Sequence, residues 1–296
     1  MNKVMICILF LIVSITWGTT WIAMKIALMT IPPLFVTSVR FLITALILML
    51  IGLLTGKPLL FPPGKKKFQL IMCIFYFLLP FTLMLYGGAH VSSSLASIIF
   101  STMPVLIFLF SYLIMKEKIC IIKVVGLIIS LSSLLMILLS QINVSSINQL
   151  KGIIALLLAL ISHALIYSKS KKEFSSLSIF TLNTLPSFFS GIILLLFSII
   201  FEKPNLIHFS KESMFAILYL GNISGVFGIL AYFYLQTKIS IFKASIIFLI
   251  FPFISIFLEY IFFGSVVSMN ILFMFIILVL GILLTLLPCK CQKKKI

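Results

Sequence analysis

The chain has 296 residues, of which 62% are hydrophobic and 9% charged, with a mean hydropathy of +1.34 and a formal net charge of +17. This composition lies far outside that of soluble domains and excludes a water-soluble fold. The lysines are scattered over connections and termini rather than gathered on one basic face, so the charge points to membrane topology and anionic lipid and away from nucleic acid.

A helix crosses a hydrocarbon layer of about 30 Å with about 20 residues. In chain order, apolar runs of that length occupy residues 4–25, 34–54, 68–88, 93–115 and 119–139, then 152–169, 177–200, 213–236, 244–264 and 270–288. Runs this continuous satisfy their backbone amides as helices, whereas barrel strands would alternate. Residues 4–15 also resemble the apolar part of a signal peptide, but no small-residue cleavage site follows them, and they are needed as the first helix of a repeat.

The repeat is explicit. Ala96-Ser97-Ile98-Ile99-Phe100 with Pro104 behind it recurs as Ala244-Ser245-Ile246-Ile247-Phe248 with Pro252, an offset of 148 residues. Each half carries an odd number of spans, so the second half is expected to lie upside down relative to the first, the arrangement of an inverted-repeat transporter. Lysines fall on alternate connections (Lys57 to Lys67, Lys116 to Lys123, Lys169 to Lys172, Lys238 and Lys243) and at both ends of the chain. By the bias of positive residues toward the cytoplasm, both termini are expected there. The fold class expected is an all-α polytopic membrane protein of ten transmembrane helices in two inverted five-helix repeats. The repeats span residues 1–140 and 151–288, and residues 289–296 form a basic cytoplasmic tail.

The sequence contains no Asp, no nucleotide-binding motif and no Gly-flanked nucleophilic Ser, so neither ATP-driven transport nor intramembrane hydrolysis is expected. Cys289-Lys290-Cys291 supplies only two ligands and makes a poor metal site, so no metal or cofactor is expected. No disulfide is expected among the five cysteines.

Trp17-Gly18 with Lys25, Arg40, Tyr86, Ala96-Ser97 with Pro104, and Lys116-Glu117 leading to Gly126 form a pattern that resembles the EamA-type family of the drug/metabolite transporter superfamily. Tyr234, Ala244-Ser245, Pro252, Gly264 and Gly281 repeat it, with Ser265 where the family usually has an acid. The resemblance covers essentially the whole chain. It implies ten helices in two inverted repeats, a central substrate cavity, and export of amino acids or related small metabolites from a bacterial cell across its inner membrane.

Individual residues carry the chemistry. Arg40 is the single Arg beside 21 Lys, placed about seven residues inside its helix; it faces a cavity, pairs with an acid, or anchors at the interface. Ser14, Trp17, Gly18, Trp21 and Lys25 fall on one helical face. That mixture suits a zwitterionic solute, with interface anchoring the alternative for Trp21 and Lys25. His163, near mid-helix at the position equivalent to Trp17, is a candidate proton carrier or a bonded core residue. Glu259 is the one acid within an apolar run, at a depth similar to Arg40, so the two could pair or share a substrate, or Glu259 could reach the headgroups. Ser97 and Ser245 allow close helix packing or contact substrate; Pro104 and Pro252 kink their helices and offer hinge points. Tyr86 and Tyr234 gate the cavity or belong to an aromatic belt.

The resemblance, taken with these residues, implies a multi-pass exporter of small polar metabolites, amino acids first among them, with membrane lipids and a small-molecule substrate as its partners, acting as a monomer or homodimer. Efflux of toxic cations is the alternative within transport. A lipid-carrier flippase or a non-transporting membrane scaffold is the alternative outside it.

Overall fold

The computed structural model describes residues 3–115, 121–141, 146–169, 176–238, 244 and 247–287. Ser245, the Lys116-Glu117-Lys118 connection and the tail from residue 289 lie outside the described residues. Among those described the chain is helical, with nine helices long and apolar enough to cross a membrane and a shorter apolar one. They are α1 (Lys3–Ala27), α2 (Pro33–Leu54), α3 (Lys66–His90), α4 (Ser93–Ser101 continuing as Met103–Met115), α5 (Ile121–Gln141), α6 (Ile147–Lys169), α7 (Ile179–Glu202), α8 (Lys211–Leu235), α9 (Ile247–Phe263) and α10 (Met269–Leu286). This is the polytopic all-α fold that the apolar runs predict.

Local chemistry sets where several helices begin. Serine side chains cap α4, α7, α8 and α10: Ser92, Ser178, Ser210 and Ser268 each accept a hydrogen bond from a backbone N–H of the first turn. Pro33 opens α2, at a position where a missing N–H costs nothing. The free N–H groups of Leu34 and Phe35 donate to the Glu202 carboxylate at 2.8 and 3.0 Å, so the end of α7 caps the start of α2.

Pairwise packing is nearly unchanged when the two halves are exchanged. The α1 helix packs on α9 and α8, as α6 packs on α4 and α3; α2 lies on α8 as α7 lies on α3. The pairs α2 with α7, α4 with α9 and α5 with α10 map onto themselves.

Two features depart from plain helices. α4 is interrupted at Thr102, two residues before Pro104, rather than kinked at the proline itself. The Thr102 N–H donates back to Ile99 and Phe100, and its hydroxyl donates to the Ile99 carbonyl at 2.6 Å, so the carbonyl that Pro104 cannot serve still has a donor. Pro252 lies inside α9 without an interruption. The α3 and α8 helices widen to π-helical turns over Met72–Leu78 and Leu220–Gly228, which begin at the same 148-residue offset as the repeated pentapeptide. Such turns concentrate at functional positions.

The α5–α10 crossing depends on two glycines. A Cβ on Gly126 would stand 2.6 Å from the Gly281 carbonyl oxygen, and one on Gly281 would stand 2.7 Å from the Ser130 nitrogen. The backbones touch because both side chains are absent. Gly126→Val is therefore expected to destabilise the bundle by about 1–3 kcal/mol through overpacking. Gly88→Ala should be tolerated, since its Cβ would meet the Met24 methyl at 3.9 Å and a Leu28 methyl at 4.0 Å, both ordinary van der Waals contacts. Thermal unfolding of both purified variants in detergent checks the contrast, and equal stability would contradict it.

Candidate functional site

Seven helices line a partly open cavity of about 140 Å³. At 10–15 Å³ per water-sized position, that is room for on the order of ten heavy atoms, the size of a small metabolite. α1 contributes Trp17, Thr20 and Trp21; α2 contributes Arg40, Phe41 and Thr44; α3 contributes Tyr76, Phe77, Phe81 and Met84. Phe100 and Met103 come from α4, His163 and Tyr167 from α6, Ser224, Gly225 and Tyr232 from α8, and Phe248 and Phe251 from α9. The π-helical turns of α3 and α8 present Tyr76 and Ser224 to this space.

The lining repeats the symmetry of the chain. Tyr76 and Ser224, Phe77 and Gly225, Met84 and Tyr232, Phe100 and Phe248, and Met103 and Phe251 are pairs at the 148-residue offset. Phe100 and Phe248 are the last residues of the two pentapeptides. In α1 and α6, Trp17 matches His163 and Trp21 matches Tyr167. α7, the counterpart of α2, adds nothing to the lining, so Arg40 has no equivalent there.

The walls are largely rings in contact. Trp17 lies 4.6 Å from Tyr232 and 5.5 Å from Phe248, and Trp21 lies 5.1 Å from Phe100. The Nε2 of His163 donates to the Tyr76 carbonyl at 3.0 Å, and its ring stands 5.3 Å from Phe81. The Thr20 and Ser224 hydroxyls bond to each other at 2.8 Å, and the Thr44 hydroxyl donates to the Gly221 carbonyl at 2.8 Å.

Arg40 is 4% exposed. Its Nε and Nη1 are buried without a hydrogen-bond partner among the described residues. What surrounds the guanidinium is aromatic: its central carbon lies 5.0 Å from the Phe81 ring centre and 5.8 Å from that of Phe41. Ring faces attract a cation but do not accept its N–H bonds at full strength.

Glu259 does not pair with Arg40. Its carboxylate, 1% exposed, accepts from Lys25 Nζ at 2.7 Å and from the backbone N–H groups of Ser93 and Ser94 at 3.1 and 2.7 Å. It thus ties α1 and α9 to the first turn of α4, where the helix dipole also favours negative charge. Similar depth along two helices did not imply a shared azimuth; the nearer cation on α1 takes the acid. Lys25 also sits 4.2 Å from the Phe263 ring centre. A second cavity of about 160 Å³, lined by Ser92, Ser94, Glu259 and Ser265 among others, borders this cluster.

The structure brings Trp17, Trp21, Arg40 and His163 to the main cavity. Trp21 is buried in its wall, not anchored at an interface. Tyr86, 36% exposed, stacks on His90 at 4.6 Å between ring centres, and Tyr234 is 45% exposed; neither lines the cavity. Ser97 is buried but bonds its own helix at the Ser94 carbonyl. Tyr76, Tyr167, Thr20, Thr44 and Ser224 are lining residues that sequence reasoning passed over. The 148-residue offset links Tyr76 to Ser224, and the match of α1 with α6 links Trp21 to Tyr167; Thr20 and Thr44 carry no repeat signal.

A polytopic helical bundle, symmetric under exchange of its halves and built around a buried aromatic cavity with one cation, is the architecture of a membrane carrier. The model of the EamA-like transporter family matches residues 4–139 and 150–287, and the chain belongs to that family. It is 51% identical over 288 residues to an uncharacterized transporter of Buchnera aphidicola from Schizaphis graminum, covering 97% of this chain and 96% of that protein. It is 48% identical to Protein PagO of Salmonella typhimurium, over 97% of this chain and 94% of that one. A protein crystal structure superposes with a TM-score of 0.68 at 17% identity, over 96% of each chain, and supports the fold.

Two stability outcomes follow from these charges. Lys25→Met strands the Glu259 carboxylate and should cost about 1–3 kcal/mol, the part-exposed lysine placing it below the range for a fully buried pair. Adding Glu259→Gln should return part of that loss. A double-mutant cycle on thermal unfolding measures it, and additive effects would show that the contact carries no coupling. Arg40→Met removes an unpartnered buried cation and should stabilise the ligand-free protein by about 1–3 kcal/mol, read by the same unfolding measurement.

Proposed function

We propose that this transporter exports small polar metabolites, amino acids or related carboxylated compounds, by alternating access around the central cavity. Both termini lie in the cytoplasm, and residues 1–140 and 151–288 act as two inverted units of a bacterial inner-membrane carrier. The observation that carries this reading is Arg40, a buried guanidinium without an acceptor that borders a metabolite-sized space. A planar fork of donors is suited to a carboxylate, and an intramembrane charge is retained at a cost that function must offset. Trp17, Trp21 and Tyr232 supply the faces against which the rest of the solute packs.

Efflux of cations has less support. The one acid of the apolar runs is taken by Lys25 and two backbone N–H groups, and it is not in the lining of the main cavity. For energy coupling we assign a proton to His163, whose ring borders the same space. Pro104 with the Thr102 interruption, and Pro252 in α9, are the bending points of the cycle.

The reading is tested by cells expressing the chain at membrane levels matched to Arg40→Ala, with amino acids and organic acids quantified in the medium. Wild-type cells should accumulate a restricted group of carboxylated solutes outside, and Arg40→Ala should lose most of that accumulation. Equal media would overturn the reading in favour of a flippase or scaffold. In the same cells, His163→Gln should make any export insensitive to a protonophore; undiminished sensitivity would remove His163 from coupling.

A further inference from the structure

We infer that the cavity selects a carboxylate whose remaining body is flat, apolar and uncharged, so that an aromatic carboxylic acid is a better ligand than the amino acid of the same skeleton. The inference rests on the proposed carrier function and deepens it by fixing the charge of the ligand.

The main cavity is bordered by one fixed cation, Arg40, and by no carboxylate among the described residues. A monoanion at the guanidinium makes the enclosed charge zero. A zwitterion leaves it at plus one, and a simple cation raises it further. In a water-poor interior an uncompensated charge is expensive, and wherever such charges are retained they are paired. Arg40 borders the cavity, and its Nε and Nη1 have no acceptor among the described residues, so a carboxylate that meets the guanidinium from the cavity supplies the counter-charge the protein does not. Charge-assisted contacts of this kind are the strong ones.

The opposite requirement, a counter-charge for an ammonium, is not met in this lining. The oxygens of Thr20, Thr44, Ser224 and the Tyr76 carbonyl can accept hydrogen bonds, but all are neutral. Glu259 is held by Lys25 at the first turn of α4, away from this lining. What the cavity offers the other end of a ligand is the ring surface of Trp17, Trp21, Phe100, Tyr232 and Phe248. Aromatic faces stack well on a flat apolar body. They also attract an ammonium, but a cation beside Arg40 in the same space meets like-charge repulsion that the rings must first overcome.

Both tryptophans of the chain line the cavity, which makes intrinsic fluorescence a direct reporter of occupancy. The full chain, purified in detergent, is titrated with three probes that share a phenyl ring and differ in charge: 3-phenylpropionate, phenylalanine and phenethylamine. The expected order is 3-phenylpropionate tighter than phenylalanine by about tenfold or more, the ratio set by about 1.4 kcal/mol, with phenethylamine weakest. Arg40→Met should abolish the preference for the acid. Arg40→Lys, which keeps the charge, should retain it at lower affinity, so that a folding failure of the first variant leaves the test intact.

Phenylalanine binding as tightly as 3-phenylpropionate, or more tightly, overturns the inference and leaves amino-acid export standing. Absence of fluorescence response to all three, in a protein that exports solutes from cells, overturns it as well. No export and no binding overturns both. Preference for the acid that survives in Arg40→Met would also overturn it, because the selectivity would then not come from the guanidinium.

Discussion

A charge embedded in a lipid-facing helix bundle must find its partner inside the bundle, because no water is there to supply one. Glu259 meets this constraint, and Glu202, half-buried at the end of α7, makes the same kind of contact. Each carboxylate takes the free N–H groups at the start of a helix from the other half of the chain, Glu259 at α4 and Glu202 at α2. The arrangement uses two liabilities against each other: an acid that lipid would exclude, and helix-start amides that lack acceptors. It also fixes how the halves meet, since α9 and α7 are held where α4 and α2 begin. Lys25 completes the Glu259 cluster from α1. Against that background Arg40 stands out, because it is the buried charge for which the protein itself supplies no counter-ion among the described residues.

Symmetry explains the scaffold of the cavity, and its violations explain the chemistry. Rings of α4 and α9 occupy equivalent places because the two pentapeptides do. Elsewhere the pairs have diverged: Tyr76 faces a position that is Ser224 in the other half, Phe77 matches Gly225, and Trp17 matches His163. The result is a lining whose two sides differ in size and polarity from pair to pair. Gly225 has a structural duty as well, since a Cβ there would overlap the Thr44 hydroxyl oxygen at 2.0 Å. α2 therefore approaches α8 closely, and Arg40 arrives on a helix whose counterpart, α7, stays out of the lining.

The membrane fold was legible in the sequence because run length and continuity are one-dimensional properties, and a lipid environment converts them almost directly into helices. The π-helical turns of α3 and α8 and the interruption at Thr102 were not legible, since each depends on a local competition for backbone hydrogen bonds that composition does not display. Trp17, Trp21, Arg40 and His163 could be placed near the cavity by depth and helical face. Glu259 could be given a depth but not a direction, and so its partner stayed open; azimuth about a helix axis is settled by which neighbours pack against it. Tyr86 and Tyr234 show the opposite failure. Their equivalent positions at helix ends reflect the repeat, not the cavity, and both remain partly exposed. Ser97 belongs to packing, with its hydroxyl returned to its own helix.

A carrier without a nucleotide motif moves between states only by the differences in free energy that its ligands and charges create. At the end where α1 finishes and α4 begins, opening would have to separate Lys25, Glu259 and two backbone donors that now satisfy one another. On the α6 side of the cavity, the described contacts include the Tyr76 hydroxyl donating to Tyr167 and Ser168 donating to the Ile107 carbonyl. Neutral contacts exchange with water at small net cost, whereas a buried ion pair is strongly destabilised when one partner is withdrawn. Any separation of this cluster therefore needs a compensating gain. The guanidinium that lacks an acceptor and the carboxylate that is fully partnered are the two opposite outcomes of the same constraint among the described residues.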